Sequence, residues 1–100
     1  MQNLSLRNLN NLCISYELNS PGQNYDRLVQ AIKSLGSCVV VQSSFWYVSS
    51  KRSCGEAADI VWAAMDPSDS LIVVDATNMD ATWYNLSPDV TKHLQDRWFR

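Results

Sequence analysis

The residues best placed to do chemistry are acids and hydroxyls at the ends of short apolar segments. Leu12-Cys13-Ile14-Ser15-Tyr16-Glu17-Leu18 reads as a strand ending on a carboxylate, with an Asn19-Ser20-Pro21-Gly22 turn and a helix after it. Such a strand end presents an acid for metal or phosphate chemistry. Asp69 precedes a second apolar run, Ser70 to Ala76, and Ser43-Ser44 joins two others, Cys38 to Gln42 and Phe45 to Ser49. Gathered at one end of a sheet, Glu17, Asp69, Ser43 and Ser44 could hold a divalent ion and orient a water for attack on phosphate. Left apart, they are solvated strand-end acids and turn serines. The sequence leaves both readings open.

Other chemistries find less support. Cys13, Cys38 and Cys54 are odd in number and widely spaced, with His93 the lone histidine. Structural zinc uses closely spaced ligand pairs, so these read as reduced thiols, two of them small apolar residues within strands. His93 reads as solvent-facing on the last helix. Asp75 reads as a solvent-facing acid at a sheet edge, and Asp59 as an outer-face residue of the second helix. No glycine-rich phosphate loop or nucleophile elbow is present.

The elements that must position these residues follow from hydrophobic period and punctuation. Strand one covers about 11–18, with Leu12, Ile14, Tyr16 and Leu18 on one face and Cys13, Ser15 and Glu17 on the other. Asn24 can cap a helix in which Tyr25, Leu28, Val29, Ile32 and Leu35 recur at helical spacing, with Gly36 ending it. Ser53-Cys54-Gly55-Glu56 has capping-box spacing and opens a second helix, which Asp66-Pro67 breaks. A loop around Asn78 to Tyr84 leads to Ser87-Pro88-Asp89, the start of a last helix carrying Val90, Leu94 and Trp98.

The order β-α-β-β-α-β plus a C-terminal helix predicts an α+β, ferredoxin-like sandwich: a four-stranded antiparallel sheet with two helices on one face. Residues 1–10 are expected as a flexible N-terminal extension. Residues 11–100 are expected as a single domain, with a core over 11–76 and a tail and helix over 77–100. One hundred residues, 46% apolar and 18% charged, suit one globular core. No apolar run is long enough to span a membrane, and the first ten residues lack a secretory hydrophobic region. A cytoplasmic protein with no membrane partner is expected.

Eight basic residues against ten acidic ones argue mildly against tight DNA or RNA binding by a single chain. Lys51-Arg52 is the only adjacent basic pair and the candidate nucleic-acid contact. The predicted strands are apolar on both faces: Leu71 and Val73 oppose Ile72 and Val74, and Phe45 and Tyr47 oppose Trp46 and Val48. A sheet of that kind needs a second cover. A second copy of the chain is expected to supply it, making a homodimer; the alternative is a C-terminal segment, with Trp83, Tyr84 and Trp98, folded over the sheet of a monomer.

Several runs look familiar: Ile14-Ser15-Tyr16-Glu17-Leu18, Ser20-Pro21-Gly22 with Tyr25-Asp26, Ala31-Ile32-Lys33-Ser34-Leu35-Gly36, Ser43-Ser44-Phe45, and Asp69-Ser70-Leu71-Ile72-Val73-Val74. Across about 11–76 the chain resembles the small CRISPR-associated proteins that partner the spacer integrase. It also resembles their stand-alone relatives, the SinR-like proteins and the virulence-associated protein D ribonucleases. That resemblance implies a ferredoxin-like homodimer, often with C-terminal segments packing across the partner. It also implies a prokaryotic or phage setting and a strand-end acid facing its twin across the dimer axis. In the family that acid is an aspartate, associated with a divalent metal and phosphodiester cleavage. Here Glu17 stands in its place and lengthens the arm by one methylene, while Ser43 and Phe45 match the family's hairpin serine and aromatic.

Two functions are therefore expected. One is a Mg²⁺-dependent endonuclease or ribonuclease, or a nucleic-acid-linked adaptor. In it Glu17, Ser43 and Ser44 are catalytic, Glu17 and Asp69 bind metal, and Lys51 and Arg52 contact DNA or RNA. The other is a non-catalytic module or inhibitor that binds another protein through its aromatic sheet face.

Overall fold

A single period-two alternation organises the molecule. Leu12 and Ile14 are fully buried and Tyr16 nearly so, while Asn11 and Glu17 are exposed and Cys13 and Ser15 half-buried. That is a strand with one face in a core and the other looking outward. The structure is a computed structural model, and it describes residues 9–19, 25–77 and 80–98. Most of the expected N-terminal extension lies outside the described residues, as do the Ser20-Pro21-Gly22 turn, the Asn24 cap and the side chain of Trp98.

The elements run β1 (Asn10–Glu17), α1 (Tyr25–Lys33), β2 (Gly36–Gln42), β3 (Phe45–Ser50), α2 (Cys54–Trp62), β4 (Ser70–Asp75), β5 (Asp80–Tyr84) and α3 (Pro88–Trp98). The protein is α+β, with an open five-stranded antiparallel sheet ordered β2-β3-β1-β4-β5 and three helices. The expectation of four strands is corrected by β5, which pairs Asp80–Tyr84 along the outer edge of β4 where a loop was expected. Tyr84 anchors it to α2, stacking on Trp62 with ring centroids 4.9 Å apart and planes 5° from parallel. Its hydroxyl also donates to the Asp59 carboxylate.

The core lies between the sheet and helices α1 and α2. Leu28 and Ile32 of α1, Ala57, Ala58 and Val61 of α2, and Leu12, Ile14, Val48, Leu71 and Val73 of the strands are fully buried. Trp46 joins them and donates its Nε1–H to the Tyr16 hydroxyl at 3.1 Å. The capping box at α2 is present, with Ser53 and Glu56 each satisfying the other's backbone N–H. Gly36 opens β2 and does not cap α1. A Cβ there would sit 2.1 Å from the Ser49 carbonyl oxygen, so only glycine fits.

Two phenols make the fold sensitive to alkali. Tyr16 is pushed up to about 12, first by burial and then by its hydrogen bond to Tyr25. Tyr84 is raised by donating to Asp59. A phenol whose folded pKa exceeds its unfolded value contributes stability that is complete below pH 10 and is lost as pH rises from 10 towards the folded value. The urea midpoint should therefore fall between about pH 9 and pH 11.5. In a Tyr16→Phe/Tyr84→Phe variant the starting stability should be lower and that fall shallower.

Candidate functional site

At the Glu17 end of the sheet, an open cleft of about 340 Å³ is lined by Ser15, Tyr16, Glu17, Ser43, Ser44, Ser70, Leu71, Ile72 and Leu86. β1 contributes Ser15 and Glu17 from its outward face, and β4 sets Ser70 opposite Glu17 and Ile72 opposite Ser15. The β2–β3 turn contributes Ser43 and Ser44. It is drawn in because the backbone N–H of Tyr16 donates to the Ser44 carbonyl at 3.1 Å, continuing the β1–β3 ladder past Phe45. Ser44 holds φ +63°, a left-handed conformation that is strained for a residue with a side chain. Three of the residues expected from sequence, Glu17, Ser43 and Ser44, thus converge on one concave surface. Ser15 and Ser70 join them. Their signal was in the register: each lies on or directly opposite the outward face of β1.

Asp69 has a different setting. It is fully buried, and its carboxylate accepts from the backbone N–H of Asn19 at Oδ1 and of Asp66 at Oδ2, both at 2.8 Å. Its own carbonyl accepts from Asn85 Nδ2. It lies beneath the cleft as a fastener and does not line it. Among the described residues of one chain, Glu17 is therefore the only carboxylate lining the cleft. Among the described residues no three His, Cys, Asp or Glu side chains are grouped to hold a metal. Mg²⁺ usually retains several waters and takes one or two carboxylates. Glu17 fits such an ion as one ligand, and the hydroxyls fit as partners of its waters.

Lys51 and Arg52 are exposed in the β3–α2 loop, beside Asn10 at the other end of β1. Eight residues of strand put them about 23 Å from Glu17. The structure does not bring this basic pair to the cleft. Asp75 is also corrected. It faces the helices, is 3% exposed and accepts from Thr77 N–H at 2.9 Å. Cys54 is buried, donates to the Val73 carbonyl, and has its thiol pKa raised first by that burial. Cys13 and Cys38 are half-buried free thiols, and His93 is exposed.

The outward face of the sheet is the larger feature. Cross-strand register aligns Val39, Tyr47, Cys13, Val74 and Ala81 in one row and Phe45, Ser15, Ile72 and Trp83 in the next, with Glu17 and Ser70 at the rim. α1 and α2 pack on the opposite face, and α3 makes no extensive contact with any strand or helix. No helix among the described residues is long and apolar enough to cross a membrane. In comparisons with known proteins, the chain matches no family model, no curated protein and no solved structure.

The two acids should separate cleanly in urea denaturation. Asp69→Ala abandons two backbone amides at a buried site and should cost about 2–4 kcal/mol. Asp69→Asn, keeping one acceptor oxygen, should cost less. Glu17→Ala, at an exposed position, should stay within about 0.5 kcal/mol.

Proposed function

We propose that this protein is an interaction module that pairs with a second copy of itself through the outward sheet face. The observation that carries this reading is the pair of continuous cross-strand rows, from exposed Val39 to half-buried Val74 and from Phe45 to Trp83, on a face against which no described helix packs extensively. Sheets packed face to face interdigitate such rows about 10 Å apart. Burying a few hundred Å² of apolar surface at roughly 25 cal/mol per Å² is worth several kcal/mol. That is a large share of the stability of a small domain.

The convergence of Glu17, Ser43 and Ser44 on one cleft favours a second reading. Here the fold is ferredoxin-like, of the kind implied by the resemblance to the CRISPR-associated spacer-integration proteins. The activity is Mg²⁺-dependent phosphodiester cleavage. Glu17 would hold the ion, and Ser43 and Ser44 would orient its waters or the phosphate. When bound, the ion supplies charge neutralisation on the phosphate and a more acidic water.

Light scattering and a cleavage assay test the two readings. Purified protein should weigh more than one chain, and Trp83→Lys, which puts a charge on the face, should lower that mass. Labelled single- and double-stranded DNA and RNA with Mg²⁺ or Mn²⁺ test the second reading. Cleavage lost in Glu17→Ala supports it. Absence of both cleavage and a gel shift at low salt leaves the interaction module alone.

A further inference from the structure

From the opposite, β2 edge of the sheet, we infer a second and separate self-association site: an antiparallel pairing of β2 with β2 of another copy. Among the described residues β2 is the terminal strand on its side, so its outer backbone groups meet no further strand. It carries the densest run of exposed apolar residues among the described residues, with Val39, Val40 and Val41 at 56%, 52% and 53% exposure. Gly36–Gln42 contains no charge and no proline, the usual means by which an edge strand resists pairing. Its one irregularity, a register shift between Val40 and Gln42, falls at the hairpin end and leaves Gly36–Val40 regular. The β5 edge differs: it is shorter and opens on exposed Asp80.

The chemistry of the edge favours a second copy over a foreign peptide. A bound peptide is selected by pockets that read its alternate side chains. The cleft at Glu17 and the shallower hollows along α1 and α3 are lined by no β2 residue. What β2 offers is a main-chain ladder and β-branched stubs, and an identical strand matches both. A two-fold axis near Cys38 and Val39 pairs apolar side chains across the seam, the cross-strand combination that strands prefer.

The area sets a bound. A seven-residue strand is about 23 Å long, and the molecule is 22 Å in its thinnest dimension. The edge strip can offer up to about 500 Å² on each copy, or about 1,000 Å² in all, the size at which a specific interface begins. α1 packs beside β2 and supplies the upper part of that strip. An antiparallel seam keeps both α1 helices on one side and turns two five-stranded sheets into one.

This seam is independent of the face pairing proposed above. The edge axis stands perpendicular to the sheet and the face axis lies parallel to it, so the two seams use different surfaces and together join more than two chains. Val40 faces the helix side, opposite Trp46, so Val40→Lys charges the edge and leaves the outward face untouched. Light scattering should show more than two chains for the wild type, two for Val40→Lys, two for Trp83→Lys and one for the double variant. If only the face reading fails, the wild type weighs two chains, Trp83→Lys changes nothing, and Val40→Lys gives one. Unchanged mass in a folded Val40→Lys overturns the edge pairing, as does a single-chain wild type. Hydrogen exchange on the unmodified protein provides a second readout: β2 amides should slow at least threefold on raising the concentration, and β5 amides should not gain that protection through the edge seam. Equal β2 rates at low and high concentration overturn the inference, even if Val40→Lys does not fold.

Discussion

The buried carboxylate of Asp69 is the constraint on which the working end of the molecule depends. One side chain joins the chain leaving β1, at Asn19, to the turn between α2 and β4, at Asp66. Around it Ser68 donates to Asp66, Asn19 donates to the Ser68 carbonyl, and Asn85 reaches back to the Asp69 carbonyl. Asn85 does so from a left-handed φ of +60°, which asparagine tolerates better than most residues. Ser70 then donates to the Asn85 carbonyl. Three chain segments that would otherwise fray are held in register. Because they are held, Glu17, Ser70 and Leu86 face one cleft. A buried carboxylate accepting backbone amides is costly to remove and specific in direction, which apolar packing alone is not.

From that fixed end, period-two alternation of burial carries two faces through the three central strands, β1, β3 and β4. The helix face is closed by aliphatic packing and a few polar bonds, among them Trp46 to Tyr16 and Cys54 to the Val73 carbonyl. The outward face repeats the same alternation with side chains almost as apolar but without a helix above it. A β-layer that is greasy on both sides is ordinary when both sides are covered and hazardous when one is not. That asymmetry, more than any single residue, gives the molecule its character.

Much of this was legible in the sequence, because alternation and punctuation are local. Strand β1, the hairpin at Ser43-Ser44, the Ser53–Glu56 capping box and the Pro88 start of α3 each rest on residues within a few positions of one another. β5 was not legible. Its five residues contain an acid and follow no turn signature, and its support comes from Trp62 and Asp59 about twenty residues away. Asp69 was legible as an acid at a strand start but not as a fastener, since only the fold brings Asn19 N–H to it. Asp75 was misplaced for the same reason. The strand's parity turns it inward opposite Leu12, while its charge suggested solvent. Gly36 read as a helix cap, because the carbonyl that excludes a side chain there belongs to β3.

The cleft and the outward face are physically linked in a way that ranks the two functional readings. Glu17 lies on the same strand face as Cys13 and Ser15, so it belongs to the rim of the surface proposed to pair. One exposed carboxylate with serine hydroxyls is a weak site for a hard dication, whose affinity grows with the number of charged oxygens. Two copies related by a two-fold that passes near the rim would bring two carboxylates together. Such a pair repels unless a proton or a cation sits between them. Phosphodiester chemistry at this site would gain a second carboxylate from association, whereas association needs nothing of Glu17. For that reason pairing through the sheet face is the function we propose first, with any catalysis at the cleft built on it.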